Sequence, residues 1–124
     1  MRRLSLPCLA CAAVLLANCT ASRPPGGASA AGGDPQRGRM LVSQVGCGAC
    51  HEIPGLRSAR GLVGPPLLHM GRRTTIAGVL PNTPQSMARW VRHPQAFVAR
   101  NVMPEMGLSE AQARDVAAYL ESLE

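Results

Sequence analysis

Between Ile53 and Asn82 the chain carries nine glycines and prolines (Pro54, Gly55, Gly61, Gly64, Pro65, Pro66, Gly71, Gly78 and Pro81). That density predicts mostly loop, with neither long helices nor paired strands. A stretch this irregular inside a compact domain needs more than its own backbone hydrogen bonds to organise it. Large side chains do not answer the need, because all 124 residues include one Trp, one Tyr and one Phe. A folded part this small lies near the size at which a core is hard to build. A bulky apolar ligand is therefore expected inside it.

The flanks of this stretch read as helices. Asp34-Pro35 pairs an N-cap with a proline at the first helical position, and Met40, Leu41 and Val45 give an apolar set, so a first helix is expected to reach about Cys47. One short turn is expected around Leu67 to Gly71. Thr83-Pro84 repeats the cap signal; Met87, Trp90 and Val91 follow at i, i+3 and i+4, which turns Trp90 inward, and His93-Pro94 ends that helix. Ser109 and Gln112 form a capping box before Val116, Leu120 and Leu123, predicting a last helix over Ser109 to Leu123. There is no strand alternation and no internal repeat, so the class is all-α with three to five helices and long loops.

Cys47-Gly48-Ala49-Cys50-His51 supplies the ligand: C-x-x-C-H is the attachment signature of c-type haem. Two thiols three residues apart near a helix end can each form a thioether to a vinyl group, while the adjacent His rotates under the ring to reach iron. Small Gly48 and Ala49 avoid crowding the macrocycle. The same C-x-x-C could serve a thioredoxin-like redox pair or half a zinc site. Neither finds its other parts, since βαβ periodicity is missing and the remaining cysteines, Cys8, Cys11 and Cys19, lie near the N-terminus. Cys8 and Cys11 are not followed by His and are read as incidental.

Over about Asp34 to Leu123 the chain resembles the class I cytochromes c. Besides the haem motif, Gly64-Pro65-Pro66-Leu67 is similar to the family's Gly-Pro-x-Leu, and Asn101-Val102-Met103-Pro104, with Gly107-Leu108-Ser109-Glu110 and Ala118-Tyr119-Leu120 behind it, is similar to the distal-Met loop and closing helix. The resemblance implies a cytochrome c fold around one covalently bound haem. It implies that the Pro65 carbonyl accepts a hydrogen bond from the axial His51, and that Met103 is the sixth ligand. Met106, in the same loop, stays as the alternative. Met40, Met70 and Met87 are read as core, and His69 and His93 as solvated or capping residues. Leu80-Pro81-Asn82-Thr83-Pro84, with Trp90 and Pro94, is similar to cytochromes c associated with, or fused to, the second subunit of respiratory oxidases. On that likeness Asn82, Trp90 and Asn101 are expected to line the haem or hydrogen-bond a propionate.

Residues 1–18 read as an export signal: Arg2 and Arg3 precede an apolar run from Leu4 to Ala17, too short for a comfortable membrane span. Leu16-Ala17-Asn18-Cys19 resembles the lipobox of bacterial lipoproteins, which implies lipidation of Cys19, although Asn18 departs from its usual Gly, Ala or Ser. Ordinary cleavage near Ala21 or Ala28-Ser29-Ala30 is the other reading. Residues 19–33, rich in Gly, Ala, Pro and Ser, form a tether, and residues 34–124 the folded domain. All 13 basic residues are Arg. Without Arg2 and Arg3 the formal charge drops from +6 to +4, enough to steer docking to an acidic partner. The basic residues are scattered without interleaved aromatics, which argues against nucleic acid.

The functional expectation is a periplasmic one-electron carrier, anchored by lipid and not an enzyme. A small-molecule substrate is not expected. The chain would take electrons from a quinol-oxidising complex or a dehydrogenase and pass them to a terminal oxidase. A His/Met ligand pair raises the reduction potential and leaves no open iron position. The rivals are a haem c subunit of a larger dehydrogenase or oxidase complex and, if Met103 does not bind, a peroxidase or gas-binding protein.

Overall fold

A computed structural model describes residues 32–124. The expected signal, Cys19 and nearly all of the 19–33 tether lie outside the described residues. Four helices carry the fold: α1 (Pro35–Gln44), α2 (Pro84–Arg92), α3 (Pro94–Phe97) and α4 (Glu110–Glu121). None of them is long and apolar enough to cross a membrane.

Each helix start follows its sequence signal. The Asp34 carboxylate accepts the Gln36 and Arg37 amides at 2.8 and 3.2 Å. Thr83 Oγ1 accepts Ser86 N–H at 3.2 Å. Around Ser109 both halves of the capping box are made, Gln112 N–H to Ser109 Oγ at 3.2 Å and Ser109 N–H to Gln112 Oε1 at 2.9 Å.

Helix α1 ends three residues before Cys47. Gly46 has φ of 80°, a left-handed conformation that glycine adopts without cost. The chain then tightens into a 3-10 turn at Cys47–Ala49, which presents the two cysteines and the histidine on a bend. The turn expected around Leu67 to Gly71 is a 3-10 turn at Met70–Arg72.

Two further departures concern short elements. Thr75–Ile76 (β1) pairs antiparallel with Leu80–Pro81 (β2), Thr75 opposite Pro81 and Ile76 opposite Leu80, where no paired strands were expected. Ala77 and Gly78, both at positive φ (50° and 73°), reverse the chain between them, and such a pair needs no alternating pattern to form. Helix α3 is a single turn that restarts at Pro94, whose ring suits a first helical position.

The core lies where α4 meets α1 on one side and α2 on the other. Val42, Met87, Val116, Ala117 and Leu120 are buried there. Met40, assigned to the core from sequence, is 56% exposed; it falls on the outer face of α1, opposite buried Gly38 and Val42. Helices α1 and α4 cross at Gly38, where a Cβ would run into the Asp115 carbonyl and lie 2.8 Å from Tyr119 Cβ.

Charge fastens the same crossing. Asp115, 7% exposed, accepts Asp34 N–H at 2.7 Å, and Arg37 Nε at 2.9 Å and Nη2 at 3.0 Å in a two-pronged pair. Arg37 also reaches Asp34 Oδ2 at 2.9 Å. The Arg37 guanidinium holds the Asp115 carboxyl below the usual carboxylate range.

Candidate functional site

An apolar cavity of about 360 Å³ opens beside the 3-10 turn at Cys47–Ala49. Every helical side of the core contributes a wall: Val42 from α1, Met87, Trp90 and Val91 from α2, Val116 and Leu120 from α4. The hairpin adds Thr75, Ile76 and Ala77, and the segment after α3 adds Asn101 to Met103 and Met106. Cys47, Cys50, His51, Pro65 and Met103, scattered over the sequence, all line this one space.

Loop packing fixes the histidine. His51 Nδ1 lies 2.7 Å from the Pro65 carbonyl, and since a carbonyl only accepts, Nδ1 carries the proton and donates. The other ring nitrogen, Nε2, keeps its lone pair free for a metal. Gly64 presses on the ring from the adjoining residue, for a Cβ there would stand 2.7 Å from Nδ1 and 2.9 Å from Nε2. Gly64 N–H donates to the Cys50 carbonyl at 2.8 Å, which ties the proline segment to the cysteine turn.

The cysteines are unbridged and half-buried. Burial pushes the Cys47 thiol up, the reverse of the depressed value that activates a thioredoxin thiolate. Among the described residues, no three His, Cys, Asp or Glu side chains come together as a metal cluster.

The structure sorts the other candidates. Met103 and Met106 both line the cavity and both are half-buried. Trp90, 9% exposed, faces it from α2. Asn82 does not line it: its amide donates to the Met70 and Arg73 carbonyls, both at 2.8 Å, and latches the turn before the hairpin. His69 sits at φ of 54° ahead of Met70, and His93 caps the end of α2 and pairs with Glu105 at 3.1 Å; neither lines the cavity.

Met70 and Met87, read only as core, are cavity wall as well. Arg73 and the hairpin residues were missed. Arg73 Nη2 donates to the Pro66 and Leu68 carbonyls at 2.6 and 3.0 Å, bracing the segment that carries Pro65. Nothing in a lone arginine among scattered arginines announces that role.

The cytochrome c family profile matches residues 35–124, and the chain belongs to that family. It is 35% identical over 88 residues to cytochrome c oxidase subunit 2 of Alkalihalophilus pseudofirmus (strain ATCC BAA-2126 / JCM 17055 / OF4), a match covering 70% of this chain but 25% of that protein. The chain thus spans about a quarter of that relative's length. Among solved structures, a chain of SoxXA from P. pantotrophus superposes with a TM-score of 0.55 at 22% identity, over 73% of this chain and 82% of the other, a likeness of fold. Family membership implies covalently bound haem c and electron transfer, and Cys47 and Cys50 stand at the family's attachment positions.

Proposed function

We propose that the chain is a one-electron carrier holding a single haem c through Cys47 and Cys50, with His51 and Met103 as axial residues. One observation carries the reading: His51 is pinned through Nδ1 to the Pro65 carbonyl, 2.7 Å away, inside an apolar cavity that both thiols and Met103 also line. The residues fit the group, since an aromatic-poor fold has kept a walled apolar space beside its two unbridged thiols.

When bound, the haem supplies an iron that alternates between ferric and ferrous states. The chain's own residues orient and enclose. Pro65 fixes the His51 tautomer and raises its basicity as a ligand. Met103, on the cavity wall, would hold the iron through its thioether, a ligand that favours the ferrous state. With His51 and Met103 both holding the iron, no position would be left for a substrate, and the chemistry supplied would be carriage of an electron. The apolar walls would keep water from the bound group.

The place of the protein in the cell is read as the periplasmic side of a bacterial membrane, reached by the signal at 1–18 and held by lipid on Cys19. Its partners are a quinol-oxidising complex or a dehydrogenase as donor and a terminal oxidase as acceptor. Likeness to an oxidase subunit supports the second. The same likeness favours another arrangement, a haem-bearing subunit within a larger complex, because the match covers 25% of that longer relative. Purification under native conditions separates the two: a carrier elutes alone, a subunit with its complex.

The test of ligation is optical. The ferric, haem-matured protein is expected to show the weak long-wavelength band of methionine sulfur, to lose it in Met103→Ala and to keep it in Met106→Ala. A high-spin parent that binds carbon monoxide readily would overturn the reading.

A further inference from the structure

We infer that Asn101 is the positioning residue of the distal loop: its side-chain carbonyl holds the Met103 amide and so presents Met103 to the cavity. This rests on the proposed role of Met103.

The segment from Val98 to Leu108 has no regular structure, and each turn of it must be held individually. Asn101 Oδ1 accepts Met103 N–H at 2.9 Å, a short side-chain-to-backbone loop spanning two residues. Asn101 lines the cavity itself, so the bond is made at the wall and not out in solvent. Asn101 is in turn anchored: its N–H donates to the Val98 carbonyl at 3.2 Å and its carbonyl accepts Gln95 Nε2 at 3.4 Å.

Arg100, immediately before it, sits at φ of 63°, a left-handed conformation unfavourable for arginine. Neighbouring bonds must hold that backbone in place, and those of Asn101 are on the spot. Beyond Met103 the loop is tied by other residues: Glu105 meets His93 at 3.1 Å, the Leu108 carbonyl accepts Arg92 Nε at 3.2 Å, and Met106 and Leu108 pack on the core. Met106 lies between these two tethers, Met103 directly on the Asn101 bond.

Fixing a ligand in advance lowers the cost of binding it, and a rival ligand then competes less well. In the haem-matured chain, imidazole added to the ferric state measures that competition. Losing one backbone-to-side-chain bond of ordinary strength corresponds to about fivefold in an equilibrium. Asn101→Ala is therefore expected to bind imidazole about fivefold more tightly than the parent and to weaken the methionine band. Asn101→Asp keeps an acceptor on the same stem and is expected to restore both to within about twofold.

A merely structural role for Asn101 would lower the melting temperature of the alanine variant while leaving its band and imidazole affinity at the parent's values, and that result overturns the inference. So does an aspartate variant as perturbed as alanine. If Asn101→Ala does not mature, the aspartate variant alone decides, by retaining or losing the parental affinity. A parent without the methionine band sinks the axial reading of Met103 itself, a different failure, seen before any Asn101 variant is made.

Discussion

Replacing Gly38 with alanine sets two known effects against each other. Alanine in a helix interior is favoured over glycine by about 0.8–1.0 kcal/mol, so an exposed Gly→Ala change at this point of α1 would stabilise. Here the new methyl group would collide with the Asp115 carbonyl and carbon and stand 2.8 Å from Tyr119 Cβ. Two of those obstacles are backbone of α4, which cannot swing aside as a side-chain end can. Overpacking of this kind costs about 1–3 kcal/mol, occasionally more, and relief requires prising α1 from α4. Separation would also stretch the bonds from Asp34 N–H and Arg37 to Asp115. Because the nearest obstacles are backbone, the upper part of that range, about 2–3 kcal/mol, applies and leaves a net loss of about 1–2 kcal/mol. For a domain of this size that lowers the melting temperature by roughly 5–15 °C. Thermal unfolding of the haem-matured protein followed by far-ultraviolet circular dichroism measures it, with Met40→Ala on the exposed face of the same helix as a near-neutral control. An alanine variant as stable as the parent, or more stable, refutes the close crossing.

Two other outcomes follow from the same geometry. Gly64→Ala drives a methyl group against the His51 ring, so it is expected to cost about 1–3 kcal/mol and to shift the reduction potential as the bond to Pro65 is lost; an unchanged denaturation midpoint together with an unchanged potential speaks against that contact. Asp115 is held ionised by Arg37, and its depressed value means that its stabilisation is complete above the ordinary carboxylate range and vanishes as pH falls through the folded-state value. Asp115→Asn should accordingly melt several degrees below the parent at neutral pH, with the gap closing in acid; a gap independent of pH would show that the charge contributes nothing.

Much of this was legible in the chain because the signals are local. Asp34, Thr83 and Ser109 are caps whose chemistry acts within three residues, and all three cap as read. The C-x-x-C-H run is likewise self-contained, and Trp90 turns inward as its spacing required. What escaped is what depends on distance in space. Gly46 ends α1 early by a backbone conformation that its identity permits but does not demand. The hairpin at Thr75 to Pro81 has strands of two residues each, too short for any period to register. Asn82 carries no mark distinguishing a latch on Met70 and Arg73 from a residue that lines the haem or bonds a propionate. Arg73 braces the Pro65 segment because folding brings the carbonyls of Pro66 and Leu68 around its guanidinium.

The bond from Asp34 N–H to Asp115 joins residues 81 apart in the chain, and it bears on the order of events in making the protein. Closing so long a loop carries an entropic cost that must be met before the contacts it creates can repay it. The cysteines and histidine proposed to receive the haem occupy five consecutive residues, and their encounter with a macrocycle requires no loop to close. The motif is thus available before the domain closes, whereas the cavity, walled by Val42, Val116 and Leu120, requires both ends of the domain to have met. A haem held at Cys47 and Cys50 would offer its apolar faces to Val42, Val116 and Leu120 from both termini at once, and a long closure would become collapse around a fixed centre.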